Sequence, residues 1–125
     1  MIREGYTAIA RYATSESWYP RVTWRNRKTF LAGTLATVTR ATRDKRGRMQ
    51  VRALIDGKVH TLHPSDWTFT PVRIGELRRW KDDRESPFLV IGIDTLGCNC
   101  LAPDGDFRMT YGYIEDFSEV ISETR

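Results

Sequence analysis

The chain has 125 residues, of which 40% are hydrophobic, and its net charge is +4. This length accommodates one domain or two very small ones, and the spread of Trp, Tyr and Phe argues against disorder. No apolar run approaches the roughly 20 residues of a membrane span, and the first residues lack the apolar stretch of a signal peptide. We therefore expect a cytoplasmic protein with no membrane partner.

The charge is divided unevenly along the chain. Residues 1–72 contain thirteen Lys and Arg against five Asp and Glu, a net charge of +8. Residues 73–125 contain seven bases against eleven acids, a net charge of −4. Such asymmetry predicts partners: the basic half should attract polyanions, and the acidic half a basic protein or the basic half of a second copy. Either a monomer or a homodimer is compatible with this pattern.

The first 31 residues predict a strand and then a break. An alternating apolar pattern over residues 6–12 favours a strand, although Ile2, Tyr6 and Ile9 also stand near helical spacing. Tyr19-Pro20 interrupts the chain, and a short strand is expected at Val22–Trp24.

The run from Trp18 to Lys28 interleaves aromatic and basic side chains. On single-stranded nucleic-acid surfaces, bases stack on rings at roughly 1–3 kcal/mol each, while cations neutralise phosphates. The run therefore predicts a nucleic-acid site, in which the stacking residues are Trp18, Tyr19 and Trp24 and the phosphate contacts are Arg25, Arg27 and Lys28. Alternatively, Trp18 and Trp24 fill a core and the cations form its solvated rim.

Short alternating segments follow, separated by turn signals such as Asp56-Gly57 and Asp104-Gly105. The predicted strands are Thr34–Ala41, Met49–Ile55, Val59–Leu62, Phe88–Ile93, Asn99–Ala102 and Arg108–Ile114. Strands of this length and spacing are typical of compact antiparallel barrels.

The predicted hairpin Arg40–Arg48 carries five cations in nine residues around a tight turn. Its tip should project into solvent, where it could lie along a phosphate backbone or enter a groove. We expect phosphate contacts from the cations nearest the turn, Arg43, Lys45, Arg46 and Arg48. The alternative is a solvated turn whose charges aid solubility.

Two His and two Cys residues have the chemistry of a tetrahedral zinc site. However, Cys98 and Cys100 are closer together than the usual zinc-ligand spacing, and His60 and His63 lie in the other half of the chain. We therefore predict reduced structural thiols, two surface histidines, and no metal or other cofactor.

The acidic half contains a candidate protein-binding surface. Glu115, Asp116 and Glu119 cluster near the C-terminus and could contact a basic protein or imitate a phosphate backbone. Tyr111 and Tyr113 share one face of the last predicted strand, where they form an adhesive patch if exposed and a core if buried. The alternative to a partner surface is a charged segment that aids solubility.

Motifs of catalysis are absent from the sequence. It contains no P-loop, dinucleotide fingerprint, nucleophile elbow or His-Glu-x-x-His motif. We predict a protein that is not an enzyme.

The two halves repeat one pattern. The repeated pattern begins with Gly33-Thr34-Leu35 in the first half and with Gly75-Glu76-Leu77 in the second. In each half an apolar strand that ends in aspartate follows, and an aspartate next to an aromatic residue closes the pattern. This order resembles SH3-like small β-barrels, which bacterial and phage genomes encode in large numbers. The resemblance implies a mostly β protein of two tandem antiparallel SH3-like barrels packed together, at residues 1–72 and 73–125, with the first barrel extended by the N-terminal aromatic and basic segment.

The resemblance also implies binding of nucleic acid or protein rather than catalysis. Together with the charges, it makes nucleic-acid binding by the basic half the leading hypothesis. The alternative is a phage-type accessory or inhibitor protein that blocks a host protein in the host cytoplasm through its acidic half.

Overall fold

The computed structural model of the protein describes residues 2–17, 28–82 and 86–123, and these residues are mostly in β-strands. The predicted mostly β fold is confirmed. The chain divides into two compact units, Met1–Thr70 and Pro71–Arg125. No helix of the described residues is both long and apolar enough to cross a membrane.

Unit 1 consists of seven strands among the described residues. They are β1 (Thr7–Ala10), β2 (Thr14–Ser15), β3 (Thr29–Phe30), β4 (Leu35–Arg43), β5 (Met49–Ile55), β6 (Lys58–Leu62) and β7 (Trp67–Thr70). An antiparallel sheet has the order β6-β5-β4-β1-β7, and β2 pairs with β3. A short 3₁₀ turn at Pro64–Asp66 precedes β7.

The core of unit 1 follows from the alternation along its strands. In β5, Val51, Ala53 and Ile55 are buried while Arg52 and Leu54 are exposed. The tight turn from β5 to β6 places both Asp56 and Gly57 at positive φ, 50° and 81°, as the Asp-Gly pair predicts. The N-terminal strand is also confirmed as β1, although it is shorter than the pattern indicates and all of Ala8, Ile9 and Ala10 are buried.

Unit 2 consists of β8 (Glu76–Trp80), β9 (Phe88–Ile93), β10 (Cys98–Ala102), β11 (Gly105–Met109), the helix α1 (Tyr111–Phe117) and β12 (Ser118–Glu123). Its sheet has the order β11-β10-β9-β8-β12. In both units, therefore, the last strand returns to pair beside the first strand of the sheet. Among the described residues the outermost strands of neither sheet pair with each other, so the sheets are open rather than closed barrels.

The strand predicted at Arg108–Ile114 is wrong in its second half. β11 ends at Met109, and α1 begins at Tyr111. The Thr110 side chain accepts a hydrogen bond from the Tyr113 amide at 3.3 Å, which is the N-cap arrangement that starts a helix. Tyr111 and Tyr113 consequently do not share one face of a strand.

Candidate nucleic-acid interface

Most of the predicted aromatic and basic site cannot be placed. Trp18, Tyr19, Trp24, Arg25 and Arg27 lie outside the described residues, as does the predicted strand Val22–Trp24. Lys28 is described and exposed, and its carbonyl accepts the Glu16 amide at 2.9 Å beside β2 and β3. Stacking of bases on this segment stays a prediction.

The tip of the β4–β5 hairpin is organised by one carboxylate. The Asp44 Oδ1 atom accepts the backbone amides of Arg46 and Arg48, each at 2.9 Å, and Oδ2 accepts the Arg48 guanidinium at 3.2 Å. Gly47 completes the turn at a φ of 78°. The hydrogen bond from the Arg48 amide is the main reason that the pKa of Asp44 lies below its usual value. The sequence thus specifies a defined turn rather than a loose loop.

The four predicted tip cations lie together at this turn, but they do different things. Arg43 donates to the Gly47 carbonyl at 2.8 Å, and Arg48 pairs with Asp44, so both help to shape the turn. The side chains of Lys45 and Arg46 are exposed and contact no other described residue through a hydrogen bond or ion pair. They are the tip cations most available to a partner.

A second pair of cations lies behind the tip, on the outer face of the hairpin. Arg40 on β4 is directly opposite Arg52 on β5, and both are exposed. Thr42 and Gln50 form the next outward-facing pair, and the four side chains line a small cavity of about 110 Å³. Neither arginine pairs with a carboxylate among the described residues. Like charges directly opposite each other destabilise a sheet.

The register of β4 explains why the sequence does not show that Arg40 and Arg52 lie opposite each other. A β-bulge lies between Val38 and Arg40, where the Thr39 hydroxyl donates to the Arg52 carbonyl at 3.2 Å. Beyond it, Ala41 packs on the core while Arg40 faces outward. The period-2 spacing of Arg40 with Thr42, and of Gln50 with Arg52, indicates a shared face, but the opposition of the two arginines depends on the bulge.

Unit 2 contains a cavity of about 540 Å³. Its floor is Trp80, whose ring meets Tyr113 edge-on at 5.8 Å and Phe107 at 6.4 Å. The side chains around them are Ala102, Asp104, Arg108, Met109 and Thr110. Tyr113 is 39% exposed, and Phe117 beside it, at 4.7 Å, is half exposed. Of the two tyrosines of the predicted patch, Tyr113 lines this cavity and Tyr111 does not.

The other residues of the predicted protein-binding surface are dispersed. Tyr111 is half-buried and its hydroxyl donates to the Asp94 carbonyl, and burial raises its pKa. Glu119 pairs with Arg79 at 2.6 Å. Glu115 and Asp116 lie on α1, half-buried and exposed respectively.

The His and Cys residues do not form a metal site among the described residues, which contain no group of three or more potential metal ligands. Cys98 and Cys100 are free and fully buried, and burial raises their pKa values to about 12 and about 11. The prediction of a surface location is wrong for His60. Its Nδ1 contacts the Glu16 carboxylate, and its ring meets Phe30 edge-on at 5.3 Å, so both side chains lie mostly out of solvent.

No protein-family model, no curated protein and no solved structure matches this chain.

Proposed function

We propose that the protein is a non-enzymatic nucleic-acid-binding protein whose β4–β5 hairpin contacts the phosphate backbone. The observation that carries this proposal is the excess of exposed cations on this hairpin: Lys45 and Arg46 at the tip, and Arg40 opposite Arg52 behind it. Asp44 is the one carboxylate of the hairpin, and the turn already occupies it. The hairpin therefore presents a continuous positive surface to solvent.

The energetics of the free protein favour an anionic partner. A like-charged cross-strand pair destabilises a sheet, and nothing described in the fold offsets the repulsion between Arg40 and Arg52. A phosphate bound between them would convert the repulsion into attraction. Neighbouring cations at the tip raise the local positive potential, which steers polyanions to the surface.

The shape of the hairpin suits the same partner. β1 pairs with β4 as far as Thr37, and β6 pairs with β5 as far as Val51. Among the described residues, the ladder at positions 42–50 is therefore two-stranded. A two-stranded ribbon is narrow enough for a major groove of about 12 Å, and ribbon readers of DNA use this geometry.

We further propose that each unit has the topology of the SH3-like small barrels, with a sheet that stays open among the described residues. The common strand order of the two sheets supports this, as does the 3₁₀ or helical turn before the last strand of each unit. Small barrels of this type serve as scaffolds for binding surfaces, so the chemistry of the surface, rather than the fold, supports nucleic acid as the partner. The proposed location is the cytoplasm, or the host cytoplasm for a phage protein.

Fluorescence anisotropy with labelled single- and double-stranded DNA and RNA tests the proposed function. We expect binding that weakens as salt rises, because bound phosphates release counterions. The variant K45E/R46E should weaken binding by at least about tenfold and flatten the salt dependence, because it reverses two free cations without removing a turn contact. The control is K58E, which reverses one exposed cation at the β5–β6 turn and is compared with the single variants K45E and R46E, which have the same change in charge. No binding at low salt, or an equal loss in K58E, would refute the proposal.

The cavity of unit 2 favours a second candidate function, the binding of a basic protein as an accessory or inhibitor. Tyr113 and Phe107 offer ring surface, and Asp104 at the rim makes no hydrogen bond or ion pair with another described residue. A guanidinium stacks on such rings while it pairs with a carboxylate. Titration with acetyl-arginine amide, with the neutral citrulline analogue as control, tests this function. Equal changes in the NMR chemical shifts of the cavity residues with the two compounds would exclude a cation site.

A further inference from the structure

We infer that the outer face of the β4–β5 hairpin holds one discrete binding site for a phosphate group, formed by Arg40, Thr42, Gln50 and Arg52. This inference rests on the proposed function and deepens it, because it separates a defined contact from the general attraction of the basic unit. The sequence alone shows that this part of the chain is basic, but it does not show that these four residues lie together.

The geometry is that of a four-cornered site. Arg40 faces Arg52 and Thr42 faces Gln50, two positions further along the same face. Cross-strand neighbours lie about 5 Å apart, and positions i and i+2 on a strand lie about 7 Å apart. The four side chains therefore border an area the size of one tetrahedral oxyanion, and they line the cavity of about 110 Å³ described above.

The donors favour a tetrahedral oxyanion such as phosphate over a carboxylate. Two guanidinium groups, a hydroxyl and a carboxamide NH₂ can donate to three or four oxygens at once. A phosphate group offers that many acceptors, whereas a carboxylate offers two oxygens. No carboxylate among the described residues lies on this face to compete.

The phosphate site and the tip of the hairpin would contribute to binding in different ways. Lys45 and Arg46 are long side chains on a turn, suited to attraction at a distance. Arg40 and Arg52 are fixed to a sheet whose strands continue to Ile55 and back to Leu35. A phosphate held there would set the register of the protein on a nucleic-acid backbone without reading its sequence.

Inorganic phosphate is the probe that tests this site. We would follow the arginine Nε–H signals of the full chain by NMR while phosphate replaces chloride at constant ionic strength. We expect saturable shifts at Arg40 and Arg52, none with acetate, and a rise in melting temperature with phosphate. Shifts that grow linearly and appear equally at all exposed arginines would overturn the inference.

Two double variants with the same change in charge sharpen the test. R40Q/R52Q should raise the Kd for inorganic phosphate by at least about tenfold, whereas K45Q/R46Q should change it by less than about threefold. R40K/R52K keeps the charge but loses the bidentate guanidinium groups. Its Kd for phosphate should therefore lie between that of the parent protein and that of R40Q/R52Q. Without phosphate, R40Q/R52Q should be at least as stable as the parent protein, because it removes a repulsion.

The two proposals fail separately. If R40Q/R52Q binds phosphate like the parent protein while K45E/R46E still loses nucleic acid, the discrete site is wrong and the proposed function stands. If phosphate saturates the site but no nucleic acid binds, the proposed function is wrong and a small-anion site remains.

Discussion

The two units share one strand order but differ in what they place at equivalent turns. In each, an aspartate organises the turn between the second and third strands of the sheet: Asp44 in unit 1 and Asp94 in unit 2. Asp94 Oδ1 accepts the amides of Leu96 and Gly97 at 2.9 and 3.0 Å, as Asp44 does for Arg46 and Arg48. In both turns one carboxylate oxygen binds two backbone amides, at positions i+2 and i+4 after Asp44 and at positions i+2 and i+3 after Asp94.

The surroundings of these turns are opposite in character. Asp94 pairs with Arg108 from β11 at 2.7 Å, and the hydrogen bond from that guanidinium is the main reason its pKa is low. Asp44 is flanked by cations that exceed its charge, and in unit 2 the exposed tip is instead Leu96, which is 78% exposed. The two units therefore differ in the side chains that a common turn carries, and only the cations around the turn of unit 1 support the proposed binding of a polyanion.

Each unit also buries one carboxylate beside a basic group, and the largest predicted effect tests that parallel. Glu76 accepts Arg78 at 3.0 Å in unit 2, and Glu16 contacts His60 in unit 1. Glu76→Gln should lower the free energy of unfolding by about 3–5 kcal/mol, because it leaves a permanently charged guanidinium buried. Glu16→Gln should lower it by about 1–2 kcal/mol, because the carboxamide that replaces the carboxylate can still form a hydrogen bond with the imidazole.

Denaturant unfolding monitored by amide exchange in β9 and β5 measures these losses in each unit. Arg78 keeps hydrogen bonds to Ser118 Oγ at 2.9 Å and to the Ile114 carbonyl at 3.4 Å. If these hydrogen bonds are enough to stabilise the buried guanidinium, Glu76→Gln and Glu16→Gln will lower the free energy of unfolding equally. The predicted difference would then be wrong.

The glycines of the two turns should also respond differently. A Cβ on Gly97 would lie 2.1 Å from the Met109 carbonyl oxygen, whereas a Cβ on Gly47 would meet nothing within 4 Å. Gly97→Ala should therefore cost about 3 kcal/mol through a backbone clash, and Gly47→Ala about 1 kcal/mol through its positive φ alone. Thermal denaturation of both variants checks the order, and a smaller loss for Gly97→Ala would contradict it.

The strands that alternate in the ordinary way could be predicted from sequence. β5 and β9 begin and end at the predicted residues, because apolar side chains alternate or dominate there between clear turn signals. β8 carries no such signal, since two of its buried positions are Glu76 and Arg78. The Arg78 guanidinium is satisfied by groups on α1 and β12 that are about 40 residues distant, and no local pattern shows them.

The candidate site was predictable only at its tip. A run of cations around a glycine indicates an exposed basic turn, and Lys45 and Arg46 are indeed exposed there. The pairing of Arg40 with Arg52 depends on the bulge at Thr39, and a shift of one residue would have turned the face of β4 inward. Likewise, the cap at Thr110 overrides the strand preference of Tyr111 and Tyr113.

The segments that precede β7 and β12 give a further comparison, in which the expected changes in stability are smaller. In unit 1 the expected change depends on pH. In unit 1, Asp66 accepts the hydroxyls of Thr14 at 2.6 Å and Tyr12 at 2.9 Å, and the bond from Thr14 is the main cause of its lowered pKa. A lowered pKa stabilises the fold above the ordinary carboxyl value, and the gain is lost as pH falls through the lowered pKa.

Asp66→Asn should therefore cost about 1 kcal/mol at pH 7 and less at pH 2, which lies below the ordinary carboxyl pKa. Urea unfolding at both pH values, followed by the tryptophan fluorescence of the whole chain, measures the difference between the variant and the parent. A cost that is the same at both pH values would show that the charge of Asp66 has no part in holding the 3₁₀ turn.

The equivalent segment of unit 2, α1, should respond in the opposite direction. Gly112 lies in the first turn of this seven-residue helix, and a Cβ there would meet nothing within 4 Å. Gly112→Ala should raise the free energy of unfolding by about 0.5–1 kcal/mol, because alanine loses less backbone entropy in a helix than glycine. Gly92→Ala is the control, since a Cβ at that position would lie 3.3 Å from Asn99 Nδ2 and gain nothing from a helix. If thermal denaturation shows that Gly112→Ala is neutral or destabilising, the segment does not gain stability as a helix. The Thr110 cap would then not explain why unit 2 has a helix where unit 1 has a 3₁₀ turn.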